Sequence, residues 1–104
     1  MTSKSRQNDF IVKGRVWKYP GPAGWHFVNL TKALSRRIKN QVWETVGWGY
    51  VKVQATVGKS TWATTLFPTK HGYYMLAIKA AVREKEKIEE GDRVAVTFEL
   101  DGPP

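Results

Sequence analysis

The sequence predicts a mainly-β domain of about six strands and two short helices, arranged as two strand-helix-strand halves. Three observations carry that expectation. Apolar and polar residues alternate along several stretches, as in Val51, Val53, Ala55 and Val57 against Tyr50, Lys52, Gln54 and Thr56, which is the two-residue period of a half-buried strand. Two other stretches space their apolar residues by three and four, the period of an amphipathic helix. Residues 48 apart also match in kind: Phe27 with Met75, Val28 with Leu76, Leu30 with Ile78, Ala33 with Ala81 and Leu34 with Val82. A repeat of that length marks a weak internal duplication.

In chain order, the first strand is expected over residues 9 to 19, where Phe10, Val12, Gly14 and Val16 alternate with an outer row of Lys13, Arg15, Trp17 and Tyr19. The short run WHFVNL at 25 to 30 makes a second. From Thr31 to Val42, the residues Leu34, Ile38 and Val42 recur at i, i+4 and i+8 while Lys32, Arg36, Arg37 and Lys39 take the remaining surface, so a short helix follows. The strand through Val51–Val57 comes next, then STWATTLF at 60 to 67 and YYMLAI at 73 to 78, both rich in the aromatic and β-branched residues that suit a pleated surface. A second helix is expected from Ala80 to Ile88, with Gly91 as its stop because glycine reaches positive φ without steric cost. The last strand sets Val94, Val96, Phe98 and Leu100 against Arg93, Ala95, Thr97 and Glu99.

The run Gly58-Lys59-Ser60 has the ending of a phosphate-binding loop, but that motif needs a further glycine five residues before Gly58 and a helix after the lysine. Position 53 is Val, and STWATTLFP follows, whose β-branched residues and proline oppose a helix. Gly58-Lys59 is therefore expected as a two-residue hairpin loop of type II′.

At 104 residues the chain amounts to one domain. Residues 1–8 are expected to form a disordered arm, residues 9–101 the domain, and residues 102–104 a frayed end. Cysteine is absent, which excludes disulfides and thiolate metal sites and suits a reducing cytoplasm. MTSKSRQND has no apolar run behind its charges, and no stretch nears the roughly 20 apolar residues of a membrane span, so a cytoplasmic protein without a membrane partner is expected.

Charge is unevenly distributed. Residues 1–83 hold 14 Lys and Arg against Asp9 and Glu44, a balance of +12, whereas the last 21 residues hold three against seven carboxylates, −4. A basic body attracts an anionic partner, DNA or RNA foremost; simple solubility explains the same charge without any site.

Several stretches together resemble one bacterial and archaeal family, domain of unknown function 1905. They are GRVWKYPG, GWHFVNL, GWGYVKVQATVG, STWATTLFP and YMLAIKAAVR followed by IEEGDRVAV. The resemblance runs from Phe10 to Leu100. It implies a small double-split β-barrel, distantly like the swapped-hairpin DNA-binding proteins of the AbrB and MazE type, with both halves in one chain. A monomeric pseudo-dimer, or a weak homodimer, follows from that. Family members usually carry proline where this chain has Thr31 and Ala77; Thr31 is instead suited to capping the helix that follows it. The resemblance implies architecture and brings no activity with it.

Signs of catalysis are sparse. His26 and His71 have no carboxylate near them in sequence, and Asp9 and Glu44 stand alone in the basic body. No catalytic residue, metal ligand or cofactor is assigned. Aromatic residues are more informative, because five Trp, four Tyr and four Phe exceed the need of a small core, and bases stack on exposed rings. The expected nucleic-acid-binding set is Lys13, Arg15, Trp17, Lys18, Arg36, Arg37, Lys39 and Lys52, with Trp48 and Tyr50 on the same row as Lys52. Trp25 and Trp62 are expected in the core. The alternative is a small-anion or protein-interaction pocket beside the loop at 67–74, where Lys70, His71, Tyr73 and Arg83 could meet.

Overall fold

The computed structural model describes residues 9–41 and 49–101. Its strands are β1 (Asp9–Arg15), β2 (Trp17–Lys18), β3 (His26–Asn29), β4 (Val51–Val57), β5 (Ser60–Pro68), β6 (Tyr74–Ala77) and β7 (Arg93–Leu100), with helices α1 (Lys32–Lys39) and α2 (Ala80–Glu86). The expected arm at 1–8, the frayed end at 102–104, and Val42, Glu44 and Trp48 lie outside the described residues.

All seven strands form one antiparallel sheet in the order β1-β7-β4-β5-β6-β3-β2. Its two ends are successive pieces of one strand. Asp9 to Arg15 pair with β7, from Asp9 opposite Glu99 to Arg15 opposite Arg93. Val16 stays on that edge but leaves the register: its N–H donates to the Asp92 carbonyl, opposite it, while its carbonyl accepts from the Gly91 N–H, one residue beyond. One residue later Trp17 pairs with Phe27 and Lys18 with His26. The expected single strand over 9–19 thus splits in two at Val16, and the exchange of partners there bends the seven-stranded sheet into a nearly closed barrel. Gly14 serves the same bend: a Cβ there would meet Val28 Cγ2 of β3 at 2.9 Å, so only glycine allows the two walls this close.

Alternation delivers the core. Phe10, Val12 and Val16 from β1 and its continuation, Val51, Val53, Ala55 and Val57 from β4, and Val96, Phe98 and Leu100 from β7 all point inward and are buried together. Phe10 stacks on Phe98 at 5.5 Å. Each fully buried side chain of this kind contributes roughly 1.5 to 3 kcal/mol.

The helices cover opposite ends of the barrel. α1 turns Leu34, Ser35 and Ile38 inward. Thr31 caps it, accepting from the Leu34 N–H, while the Ser35 hydroxyl donates to the Thr31 carbonyl and accepts from the Tyr74 N–H. Burial pushes the Tyr74 phenol above its ordinary pKa. α2 buries Val82 over the other end. It stops before Gly91, at Lys87, which takes the left-handed conformation with φ 58; the Ile88 and Lys87 N–H groups then return to Arg83 and Glu84 carbonyls, a Schellman ending. Buried Ile88 beside Val82 makes that ending worthwhile despite the missing glycine, and Gly91 instead sets the turn into β7.

The duplication is visible in the pairing. Val28 lies opposite Leu76 in the β3–β6 register, so the two residues that match at 48 are also partners. Hydrogen bonds repeat with the same offset: Leu30 N–H to the Tyr74 carbonyl, and Ile78 N–H to the His26 carbonyl. A local two-fold relation therefore exchanges β3-α1-β4 with β6-α2-β7.

Gly58 and Lys59 form the hairpin between β4 and β5. Gly58 has φ 56, and Lys87 is the only non-glycine with positive φ among the described residues, as a type II′ turn requires. Glu86 of α2 clamps this turn, its carboxylate accepting from the Lys59 N–H and the Ser60 hydroxyl. A Cβ on Gly58 would collide with that carboxylate. Gly58→Ala should lower stability by more than about 1 kcal/mol in urea unfolding, with part of the loss recovered in a Glu86→Ala background. An unchanged midpoint would mean that the clamp is not formed.

Candidate functional site

On the outer face of β2-β3-β6-β5 a second apolar layer has formed. Period-two alternation sends Val28 inward and Phe27 outward, yet Phe27 is only 5% exposed. Four rings cover it: Trp17 at 5.5 Å, Phe67 at 5.8 Å, Trp25 at 6.0 Å and Tyr19 at 6.3 Å between centroids. Tyr50 extends the group through Phe67 at 5.1 Å. Trp17 is half-buried and held by a hydrogen bond from its Nε1 to Asn29 Oδ1 at 2.9 Å. It is a supporting ring.

Trp25 lies nearly parallel to Phe27, at 8°, but is 49% exposed. The expectation that it belongs to the core fails because it sits at the close of the β2–β3 connection, where Tyr19 N–H bonds the Trp25 carbonyl and only one side of the indole meets protein. Tyr19 is 51% exposed beside it. Trp62 is in the core as expected, at 5%, although its indole N–H has no partner among the described residues, which costs about 1 to 3 kcal/mol.

Trp25 and Phe67 separate two concavities. The shallower, about 280 Å³, is lined by Tyr19, Phe27 and Met75 in addition to those two. The other, about 370 Å³, has Ala63, Thr65 and Ala77 at its base and His26, Lys79 and Arg83 among its walls. Small outward side chains on β5 and β6 create this second groove between bulky Trp25 and the start of α2. Among the described residues, neither is lined by a carboxylate. His26 directs Nδ1 at the Gly24 carbonyl, 2.7 Å away, so that nitrogen carries the proton and Nε2 is left as the acceptor. Arg83 donates through Nε to the Ile78 carbonyl at 3.2 Å, and its terminal nitrogens have no partner among the described residues.

The eight cations and aromatics expected to act together fall at two ends of the barrel. Lys13, Arg15 and Trp17 share one outward row that leads into Tyr19, while Lys18, between the two rings, alternates to the other face of the strand, and Arg15 stands directly opposite Arg93 on β7. Like charges in that position repel; Arg15 relieves this by donating from Nη1 to the Gly91 carbonyl at 3.2 Å. Arg36, Arg37 and Lys39 lie on α1 at the far end of the barrel, where Arg37 rests over the Phe10 ring at 5.2 Å. Lys52 is at that far end too, beside Asp101, whose N–H bonds the Lys52 carbonyl. Sequence alone could not separate these groups, because register and barrel closure decide which rows become neighbours.

The alternative set divides as well. Lys70, His71 and Tyr73 occupy the β5–β6 loop at the α1 end, with His71 stacked on Tyr73 at 6.1 Å, whereas Arg83 lines the groove at the opposite end, one strand-length away. The groove's actual companions, Trp25, His26 and Lys79, were missed because they come from connections whose approach no local pattern reveals. No group of three His, Cys, Asp or Glu able to hold a metal ion occurs among the described residues, and no helix among them is long and apolar enough to cross a membrane.

This architecture defines a small mainly-β barrel with a cationic row that runs into an aromatic face. Residues 13–98 match the family described as a domain of unknown function (DUF1905), and the chain belongs to that family. No curated protein matches it.

The two layers make a direct prediction. Phe27→Ala should destabilise the domain by about 3 to 5 kcal/mol, whereas Trp25→Ala should remove less than about 1.5 kcal/mol, the order of one aromatic pair. Chemical denaturation of both variants checks this; equal losses would place Trp25 in a true core.

Proposed function

We propose that the protein is a binding module, without a chemical step of its own, for single-stranded nucleic acid. Bases stack on Trp25 and Tyr19 while Lys13, Arg15 and Arg93 meet the phosphates. The observation that carries this reading is a pair of half-exposed rings, backed by an aromatic layer, at the end of a cationic row. Backing matters because a ring already fixed by its neighbours loses little freedom when a base lands on it. From Lys13 to Tyr19 the row runs about 20 Å at the usual rise of a strand, a length suited to a few nucleotides. Asp92, the carboxylate nearest to Arg93 in sequence, is engaged by the Glu89 N–H at 2.8 Å. Duplex is the less suitable substrate, since its bases offer no free face to these rings.

Fluorescence titration with unstructured oligonucleotides at about 50 mM salt tests the proposal. The slope of log K against log salt should be about −0.7 per neutralised phosphate, and Arg15→Ala with Arg93→Ala should make it shallower by about 1.4. Trp25→Ala should lose about 1 to 3 kcal/mol of affinity, and Arg36→Ala with Arg37→Ala should change little. Absence of binding to any single strand under these conditions would refute the reading.

A further inference from the structure

The geometry points to a discrete site for a phosphomonoester nucleotide in the groove between Trp25 and α2. The inference rests on the proposed strand-binding face, which the groove adjoins at Trp25. Its volume, about 370 Å³, falls at the low end of small-ligand sites, which run from about 300 to 1,000 Å³, so it takes one nucleotide and no folded structure. The base rests against Trp25 over the small side chains of Ala63, Thr65 and Ala77. The phosphate lies toward Lys79 and Arg83.

Three features select that occupant. Both terminal nitrogens of Arg83 are unpartnered among the described residues, Nε alone being tied to Ile78, and Lys79, exposed at the start of its helix, makes no side-chain capping bond and has no side-chain partner among the described residues. No carboxylate among the described residues lines the groove; Glu84 and Glu89 border Arg83 only in a separate concavity beyond α2. The groove also ends against α2, so a strand that follows the face past Trp25 stops there. A terminal phosphate carries about −1.5 to −2 charges near neutral pH, against −1 for an internal linkage, and two free cations favour the more highly charged group. The occupant is therefore the phosphorylated end of a strand, or the same chemistry in a free nucleoside monophosphate.

Equal-length single strands with a 5′-phosphate, with a 3′-phosphate and with neither, together with a nucleoside monophosphate, are titrated into the full chain at about 50 mM salt. One of the two phosphorylated strands should bind about tenfold or more tightly than the unphosphorylated one. Lys79→Gln and Arg83→Gln should each reduce that increment and leave the affinity of the unphosphorylated strand unchanged. Thermal midpoints of both variants show whether Arg83 is needed for folding, and Lys79, which makes no such contact, keeps the test decisive. Three strands of equal affinity, or an increment that survives Lys79→Gln, would overturn the site while strand binding stands. Binding of the monophosphate without binding of any strand would instead uphold the site and remove the strand reading. No binding of any of these probes would remove both.

Discussion

One strand holds the barrel shut. From Asp9 to Val16 it is bonded to β7, and from Trp17 onward to β3, so the two edges of the sheet are consecutive residues of the same segment. Without that exchange the sheet would present two open edges and its valine rows would face water. The exchange is possible because Gly14 lets Val28 approach and because the Asp92 carbonyl and Gly91 N–H still meet Val16. It also fixes what lies outside: the row that carries Lys13 and Arg15 over β7 continues directly into Trp17 and Tyr19 over β3. The cationic surface and the aromatic surface are contiguous for a covalent reason.

The duplication explains why the aromatic face is broad. The two-fold relation passes between Val28 and Leu76, so β3 and β6 lie side by side in the middle of that face and each half supplies outward residues to it. Phe27 on one side corresponds to Met75 on the other, and Trp25 to Tyr73. The halves have diverged, with the larger rings gathered around Phe27. The same divergence separates the ends: Thr31 caps α1 through its side chain, while Lys79 begins α2 with no side-chain cap and points its charge elsewhere. Glu86 adds a clamp on the Gly58-Lys59 hairpin from within the second half.

Much of the fold was legible in the sequence because alternation is a local signal. Val51–Val57, Arg93–Leu100 and the segment from Ser60 were readable from their period alone, and the offset of 48 recovered β3, β6 and both helices. Reading Gly58-Lys59 as a turn needed only the Val at 53 and the β-branched run after it. Val16 was not legible as a break, since its apolar side chain continues the alternation while its backbone changes partner. Lys87 escaped because a lysine in the left-handed region is uncommon, and the gain from burying Ile88 is a tertiary effect. The candidate site was legible only in part. Lys13, Arg15, Trp17 and Lys18 are neighbours in sequence and remain neighbours in space, but the placing of Trp25 and the meeting of His26 with Lys79 and Arg83 depend on how loops and α2 arrive at one end of the barrel.

The closure at Val16 can be measured directly by native-state amide hydrogen exchange. Protection of Val12, Val16 and Trp17 should equal that of the β4–β5 pairing, with all of them exchanging only through global unfolding. Exchange of the Asp9–Lys18 segment at a clearly lower free energy, while β4 and β5 stay protected, would show that the barrel stands without its connecting strand and would contradict the account.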